Sequence, residues 1–179
     1  MKHNGILAFL CLILLSTTAC EEKKESIAKS KPIAVYKSNK TKVEAYDYEG
    51  LQYYLNQDDD STYVINFWAT WCLPCVEELP HFEKLGKEYK DKNVQVLLVS
   101  LDMVKNAETK LVPFVKEKKL KSEVILLQDT DANTWIPKID KTWSGAIPAT
   151  LIYNKNKRAF YEQSFTYEEL KEAVDAVIE

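Results

Sequence analysis

The chain has 179 residues, 46% of them hydrophobic and 28% charged, and its 27 acidic residues against 24 lysines and arginines give a net charge of −3. That length fits one domain plus a targeting segment and argues against two full domains. The basic residues are scattered rather than gathered into a stripe, which removes the electrostatic footprint a nucleic-acid partner would need.

Residues 1–19 differ from everything after them. Lys2 and His3 make a short positive start, Ile6 to Leu15 is an almost unbroken apolar run, and small residues lead to Ala19 and Cys20. This is the layout of a secretory signal, and the run is shorter than the about 20 apolar residues of a permanent span. Cys20 stands where the small residues end, which resembles the bacterial lipobox and implies an acylated first residue of a mature lipoprotein. The leucine usual three places before that cysteine is Thr17 here. Ordinary cleavage near Ala19, leaving Cys20 a free thiol, is the alternative; an exposed thiol in an oxidising envelope would be a liability, which favours the lipid. Cys11 lies inside the apolar run and reads as a small hydrophobe removed with the signal. Residues 20–32 are charged and aperiodic and read as a flexible tether, of which about 11 residues would span roughly 18 Å.

From Ile33 onward strand-like and helix-like segments alternate. Ile33 to Tyr36 and Lys42 to Ala45 read as short strands, Asp47 to Asn56 as a helix, Asp58 to Asp60 as a solvated turn, and Tyr63 to Trp68 as a strand. Apolar residues at Cys75, Leu79, Phe82 and Tyr89 recur at helical spacing and predict an amphipathic helix to about Lys90. Val94 to Leu101 is nearly continuous in apolar character, as expected of a central strand buried on both faces. Glu108 to Lys119 reads as a helix in which Pro113 is a kink or a late start, with Lys116 to Lys119 on its wet face. Val124 to Leu127 is a short strand, Asp131 to Ile139 a weak helix or a loop, and Ala149 to Tyr153 with Ala159 to Tyr161 a hairpin turning at Asn154 to Lys157. Thr166 and Glu169 form a capping box for a last helix reaching Ile178. The pattern predicts a mixed α/β sheet with helices on both faces, occupying residues 33–179.

The chemistry centres on Trp71-Cys72-Leu73-Pro74-Cys75, directly behind the strand at Tyr63 to Trp68. A C-x-x-C pair can hold a metal or two electrons. Structural zinc needs about four ligands, and beyond the pair the chain after residue 19 offers only His81 and Cys20. The redox reading needs fewer parts. With Cys72 at a helix N-terminus, free backbone N–H groups and the macrodipole stabilise a thiolate, making Cys72 the nucleophile. Cys75, one turn on, is within disulfide reach and becomes the resolving thiol. Pro74 suits a first helical turn.

Phe67 to Cys75 resembles the active-site segment of the thioredoxin superfamily. Pro80, five residues after Cys75, is similar to the proline that kinks that family's active-site helix, and Gly145-Ala146-Ile147-Pro148-Ala149-Thr150 is similar to its cis-proline loop. The resemblance implies a thioredoxin-like fold over residues 33–179, a cis Ile147–Pro148 bond, and a substrate segment pairing with the backbone at Ile147. Asn66 replaces the buried acid of cytoplasmic thioredoxin, while Glu78 and the material around residues 124–140 resemble the acid and the central insert of TlpA/ResA-like envelope proteins. Glu78 is then expected to accept the proton of Cys75; the plainer reading is an exposed carboxylate near a helix start. Trp71 is expected to form part of the substrate lip, Trp68 to sit in the core, and Trp135 and Trp143 to be structural, although Trp143 lies where it could line the same surface.

These readings converge on an envelope thiol-disulfide oxidoreductase whose redox centre is the Cys72–Cys75 pair, with no further cofactor. Its expected partners are protein thiols and disulfides, a membrane electron donor implied by the resemblance, and the membrane itself through Cys20. Leu73 and Pro74 add no positive charge and Glu77 and Glu78 oppose a thiolate, so a reductase or relay is expected, with a potential nearer about −270 mV than about −120 mV. Two alternatives stay open at this point: a module delivering a soft metal such as Cu(I) with the same cysteines, and a scaffold whose disulfide is only structural.

Overall fold

The most apolar stretches become the centre of a seven-stranded sheet in the computed structural model, which describes residues 28–179. The strands are β1 (Ala34–Ser38), β2 (Thr41–Tyr46), β3 (Thr62–Trp68), β4 (Val94–Ser100), β5 (Glu123–Leu127), β6 (Ala149–Tyr153) and β7 (Arg158–Tyr161), in the spatial order β1-β2-β5-β4-β3-β6-β7. β2, β5, β4 and β3 run parallel, whereas β1, β6 and β7 are antiparallel to their neighbours. Every residue of β3 is buried. It pairs with β4 from Thr62↔Val94 to Trp68↔Ser100 and with β6 on its other side.

Side chains alternate across a strand, so successive residues of β3 feed two cores. Ile65 and Phe67 join Leu51, Tyr54 and Leu55 of α1 (Tyr48–Leu55) and Trp135 and Ile139 of α4 (Ala132–Ile139). Val64 and Trp68 face the other way, onto α2 (Leu73–Glu88), α3 (Val112–Lys118) and α5 (Tyr167–Ile178), with Leu79, Phe82, Val112, Leu170 and Val174. Phe82 is fully buried, a stabilisation of about 2–3 kcal/mol by transfer alone. The mixed sheet with helices on both faces expected from the sequence is the one observed.

Local signals set the element ends. Asp47 caps α1 by accepting from Gly50 N–H at 2.8 Å, and Thr166 with Glu169 makes the capping box of α5; each such cap is worth about 1 kcal/mol. Asn154 Oδ1 accepts from the N–H groups of Asn156 and Lys157, both at 2.8 Å, and turns the chain between β6 and β7.

Three readings change in detail. Gln95 of β4 is exposed, because the start of that strand is covered on one face only and every residue is buried only from Leu97 onward. The segment read as one helix from Glu108 to Lys119 is a π-helical turn at Ala107–Leu111 followed by α3, with Pro113 in the first turn of the latter. Residues 131–139 are a helix, since Trp135 and Ile139, four apart, bury together against the sheet and packing supplies what propensity does not. The strand expected at Val124 to Leu127 is β5, and the sheet places it internally, between β2 and β4.

The signal segment, Cys11 and Cys20 lie outside the described residues, as does most of the tether. Residues 28–32 carry no regular structure, and the first hydrogen bond into the sheet runs from Ile33 N–H to Ala45 C=O at 2.9 Å. Among the described residues no helix is long and apolar enough to cross a membrane.

Candidate active site

The site grows from the C-terminal ends of β3 and β4. Trp68 is fully buried, its ring centroid 5.4 Å from that of Phe114 on α3. Beyond it the chain turns, Cys72 N–H donating to Ala69 C=O at 3.1 Å. The turn is tied to the end of β4 by Asp102, which accepts from Thr70 N–H at 3.0 Å and from its hydroxyl at 2.6 Å. Asp102 is buried and also accepts from Ser100 Oγ at 2.9 Å.

Cys72 is the N-cap of α2 and Pro74 lies in the helix's first turn. Cys72 and Cys75 form a disulfide with their Cα atoms 5.3 Å apart, and Cys75 N–H points at Cys72 Sγ at 3.4 Å. A backbone donor aimed at sulfur, at the positive end of a helix, favours a thiolate on Cys72 once the bond is reduced. The two sulfurs are not equivalent: Cys72 is 6% exposed and Cys75 is 0% exposed. Trp71 and Leu73 flank the disulfide at 63% and 67% exposure, so the motif itself presents large apolar surface beside Cys72.

The Ile147–Pro148 peptide bond is cis, and Ile147 C=O lies 3.7 Å from Cys72 Sγ. In the disulfide this is a contact; with a thiol on Cys72 the carbonyl becomes an available acceptor. Three anchors hold this loop. Trp143 Nε1–H donates to Ala146 C=O at 2.8 Å, and the backbone N–H groups of Ser144 and Ala146 donate to Glu162 at 3.1 and 3.0 Å. The Ser144 hydroxyl also bonds Glu162, and these bonds hold the Glu162 carboxyl below the usual range. Trp143 is buried, with its ring centroid 4.8 Å from that of Phe67, and Trp135 is buried beside it.

Glu78 is buried, not exposed near the helix start. Three residues after Cys75, it lies on the same face of α2. Its Oε1 accepts from Asn66 Nδ2 on β3 at 2.9 Å and its Oε2 accepts from Phe165 N–H, in the segment before α5, at 2.8 Å. Burial pushes its pKa up to about 7, against the opposing pull of those two donors. A carboxyl of that kind can take or release a proton near neutral pH.

The structure therefore brings Cys72, Cys75, Trp71, Ile147 and Pro148 to one end of the sheet and sets Glu78 behind the pair. Asp102 and Phe165 escaped the sequence reading, in which Thr150 stands only as the end of the proline loop. Asp102 had a signal in hindsight, an acid directly after a central apolar strand at the sheet end where sites form; a backbone N–H such as Phe165's leaves none. His81 points away, its ring 6.5 Å from that of Tyr167. Among the described residues no group of three or more His, Cys, Asp or Glu side chains is placed to hold a metal ion.

A family model described as AhpC/TSA matches residues 37–159. The thiol-disulfide oxidoreductase ResA of Bacillus cereus is 26% identical over 190 residues, covering 100% of this chain and 98% of that protein. Among solved structures, a DsbF homologue from Corynebacterium diphtheriae superposes with a TM-score of 0.55 at 17% identity, over 80% of this chain and 91% of that one. A thiol:disulfide interchange protein of the thioredoxin family from Chlorobium tepidum gives 0.52 at 15% identity, over 67% and 81%. At these identities the two structures speak for the fold, and the family model speaks for descent. The chain belongs to the AhpC/TSA family, as a thioredoxin-fold member similar to the TlpA/ResA proteins.

Proposed function

We infer that this chain is a thiol-disulfide oxidoreductase that reduces protein disulfides, or relays electrons to them, outside the cytoplasm. The observation that carries the reading is the asymmetric disulfide at the start of α2, with Cys72 keeping a slight 6% exposure, Cys75 fully buried, and three residues on along the same helix a buried carboxyl whose pKa is near neutral. The full-length likeness to ResA supports it, and nothing in the site favours metal delivery over exchange.

In the reduced chain the Cys72 thiolate attacks one sulfur of a substrate disulfide. A Cys72–substrate disulfide forms and the other substrate sulfur leaves as a thiolate. Cys75 then loses its proton to Glu78, attacks Cys72 Sγ, and expels the second substrate thiolate, so two electrons pass to substrate and the Cys72–Cys75 bond closes. Trp71 receives the substrate, and the backbone at Ile147, set by Pro148, aligns an extended segment as an added strand. The Cys75 N–H and the helix end support the Cys72 thiolate, and Leu73 and Pro74 add no cationic side chain, so the reduced form is not strongly favoured and the couple is suited to donating electrons.

Re-reduction needs a dithiol donor, which an exported protein meets at the membrane. The signal layout of residues 1–19 supports export, and acylation of Cys20 would tether the domain through residues 21–32.

The test is a trap. Reduced Cys75→Ser protein, offered a disulfide-bonded protein, should accumulate a higher-mass adduct that dithiothreitol dissolves, and Cys72→Ser should not. A Cys75→Ser protein that forms no adduct would remove the exchange mechanism.

A further inference from the structure

Glu78 has a partner with an unused capacity. Asn66 is fully buried in β3, and both protons of its amide are spent: Nδ2 donates to Glu78 Oε1 at 2.9 Å and to Thr150 Oγ1 on β6 at 3.2 Å. Its carbonyl oxygen, Oδ1, is buried with no hydrogen-bond partner. A buried unpaired amide oxygen is costly, on the order of 1–3 kcal/mol in general, and such groups are rare in native folds.

The orientation is matched to one charge state of Glu78. As a carboxylate, Glu78 accepts from Asn66 on one oxygen and from Phe165 N–H on the other, and needs nothing more. As a carboxylic acid it carries an O–H, and both of its present neighbours are donors. The acid then has no acceptor in this arrangement, while Asn66 Oδ1 next to it lacks a donor. A half-turn of the Asn66 amide about χ2 exchanges Nδ2 and Oδ1. The Glu78 O–H then reaches Oδ1, and the Thr150 hydroxyl can donate to the same oxygen, so two mismatched groups become one.

We propose that Asn66 is a two-position partner for Glu78, offering Nδ2–H to the carboxylate and, after an amide half-turn, Oδ1 to the acid formed when Cys75 surrenders its proton. This rests on the reading of Glu78 as proton acceptor and makes Asn66 a positioning residue. It touches neither sulfur; it lets one buried site hold either charge state. Groups facing Glu78 from the elements around it are neutral: the Asn66 amide on β3, the Thr150 hydroxyl on β6, and Phe165 N–H before α5. On α2 itself Glu77 is exposed and His81 is turned to Tyr167. Among the described residues no charged side chain contributes to the displacement of the Glu78 equilibrium; after reduction the Cys72 and Cys75 thiols are the other titrating groups at that helix end.

The experiment is a pH titration of the full chain in its disulfide form, labelled with carbon-13 and nitrogen-15, following the Glu78 carboxyl carbon and the Asn66 side-chain NH2. Both should titrate with one midpoint. Nuclear Overhauser contacts from the Asn66 amide protons to Glu78 and Thr150 should be present above the midpoint and lost below it. Glu78→Gln should abolish the Asn66 response, and Asn66→Leu should raise the Glu78 midpoint by about one pH unit, a tenfold change in its ionisation. If Glu78 titrates while the Asn66 contacts persist at every pH, the amide half-turn is wrong and the proton-acceptor reading stands. If Glu78 stays ionised from pH 4 to pH 9, both fall together.

Discussion

Asp102, the second residue beyond β4, accepts two hydrogen bonds from Thr70, the second residue beyond β3, one from its backbone N–H at 3.0 Å and one from its hydroxyl at 2.6 Å. Two loops at the ends of adjacent parallel strands are thereby joined at one buried carboxylate, and Thr70 is two residues before Cys72. Asp102→Ala strands a backbone donor and two hydroxyls, Thr70 and Ser100. Thr70 is only half-buried and its groups can turn to water, so about one group's cost applies in full and the expected loss is about 1–3 kcal/mol. Urea unfolding at neutral pH should show it as a lower midpoint with an unchanged slope, and Asp102→Asn should recover part of it. A midpoint equal to that of the parent chain would mean that the clamp contributes nothing to stability.

Glu78 makes a prediction with a definite sign. Its folded-state pKa of about 7 lies above the ordinary value of 4.5. Between those values the unfolded chain has released the proton and the folded chain still holds it, so stability falls as pH rises through this window and is level above it. The fall is on the order of 3 kcal/mol, from about 1.4 kcal/mol per pH unit. Glu78→Gln cannot titrate. The stability of the parent chain minus that of Glu78→Gln, measured in the disulfide form at several pH values, should drop by about this amount from pH 4 to pH 8. A difference that does not vary with pH would show that burial leaves the Glu78 proton equilibrium unshifted. The same variant should resolve its mixed disulfide about 100-fold more slowly, the lower end of what general-base catalysis contributes.

Gly145 holds φ at +96°, and a Cβ placed there would lie 3.1 Å from Ile136 Cδ1. Alanine is strained in that backbone region whatever the space, at a general cost of about 1–3 kcal/mol. Gly145→Ala should therefore lower the urea midpoint. Because Gly145 lies between the two residues bonded to Glu162, it should also shift the Ile147 carbonyl from Cys72 and slow disulfide exchange. Exchange at the parent rate in a destabilised Gly145→Ala protein would separate the loop's fold from its alignment of Cys72.

Trp71 has the opposite profile. At 63% exposure it contributes little packing, so Trp71→Ala should change stability by less than about 0.5 kcal/mol. As the largest apolar surface beside the reactive sulfur, it should matter when a protein substrate docks, by about 1–2 kcal/mol or roughly tenfold in kcat/KM. A small disulfide that does not reach the indole should be reduced at the parent rate, and equal loss on both substrates would argue against a docking role.

Much of this protein was legible along the chain because its signals are local. Alternation and apolar runs located the strands, Asp47, Thr166 and Asn154 marked helix starts and a turn, and the C-x-x-C spacing with a proline inside named the redox pair. What stayed out of reach involves partners far apart in sequence. The helix at residues 132–139 forms because Trp135 and Ile139 find a sheet face to cover. The burial of Glu78 depends on β3, β6 and the segment before α5 closing around one position of α2, and its second donor is a backbone N–H 87 residues away.

The sequence by itself determined which two cysteines pair and that one begins a helix, because three residues of spacing and a strand in front of them suffice. Tertiary structure decided how they differ and what serves them. It leaves Cys72 a slight exposure, seals Cys75, and takes Glu78 from water, raising an ordinary carboxyl's pKa to about 7. The physical reason is desolvation: composition and spacing say which groups exist, but only the packing of distant segments removes the water that would otherwise set their equilibria.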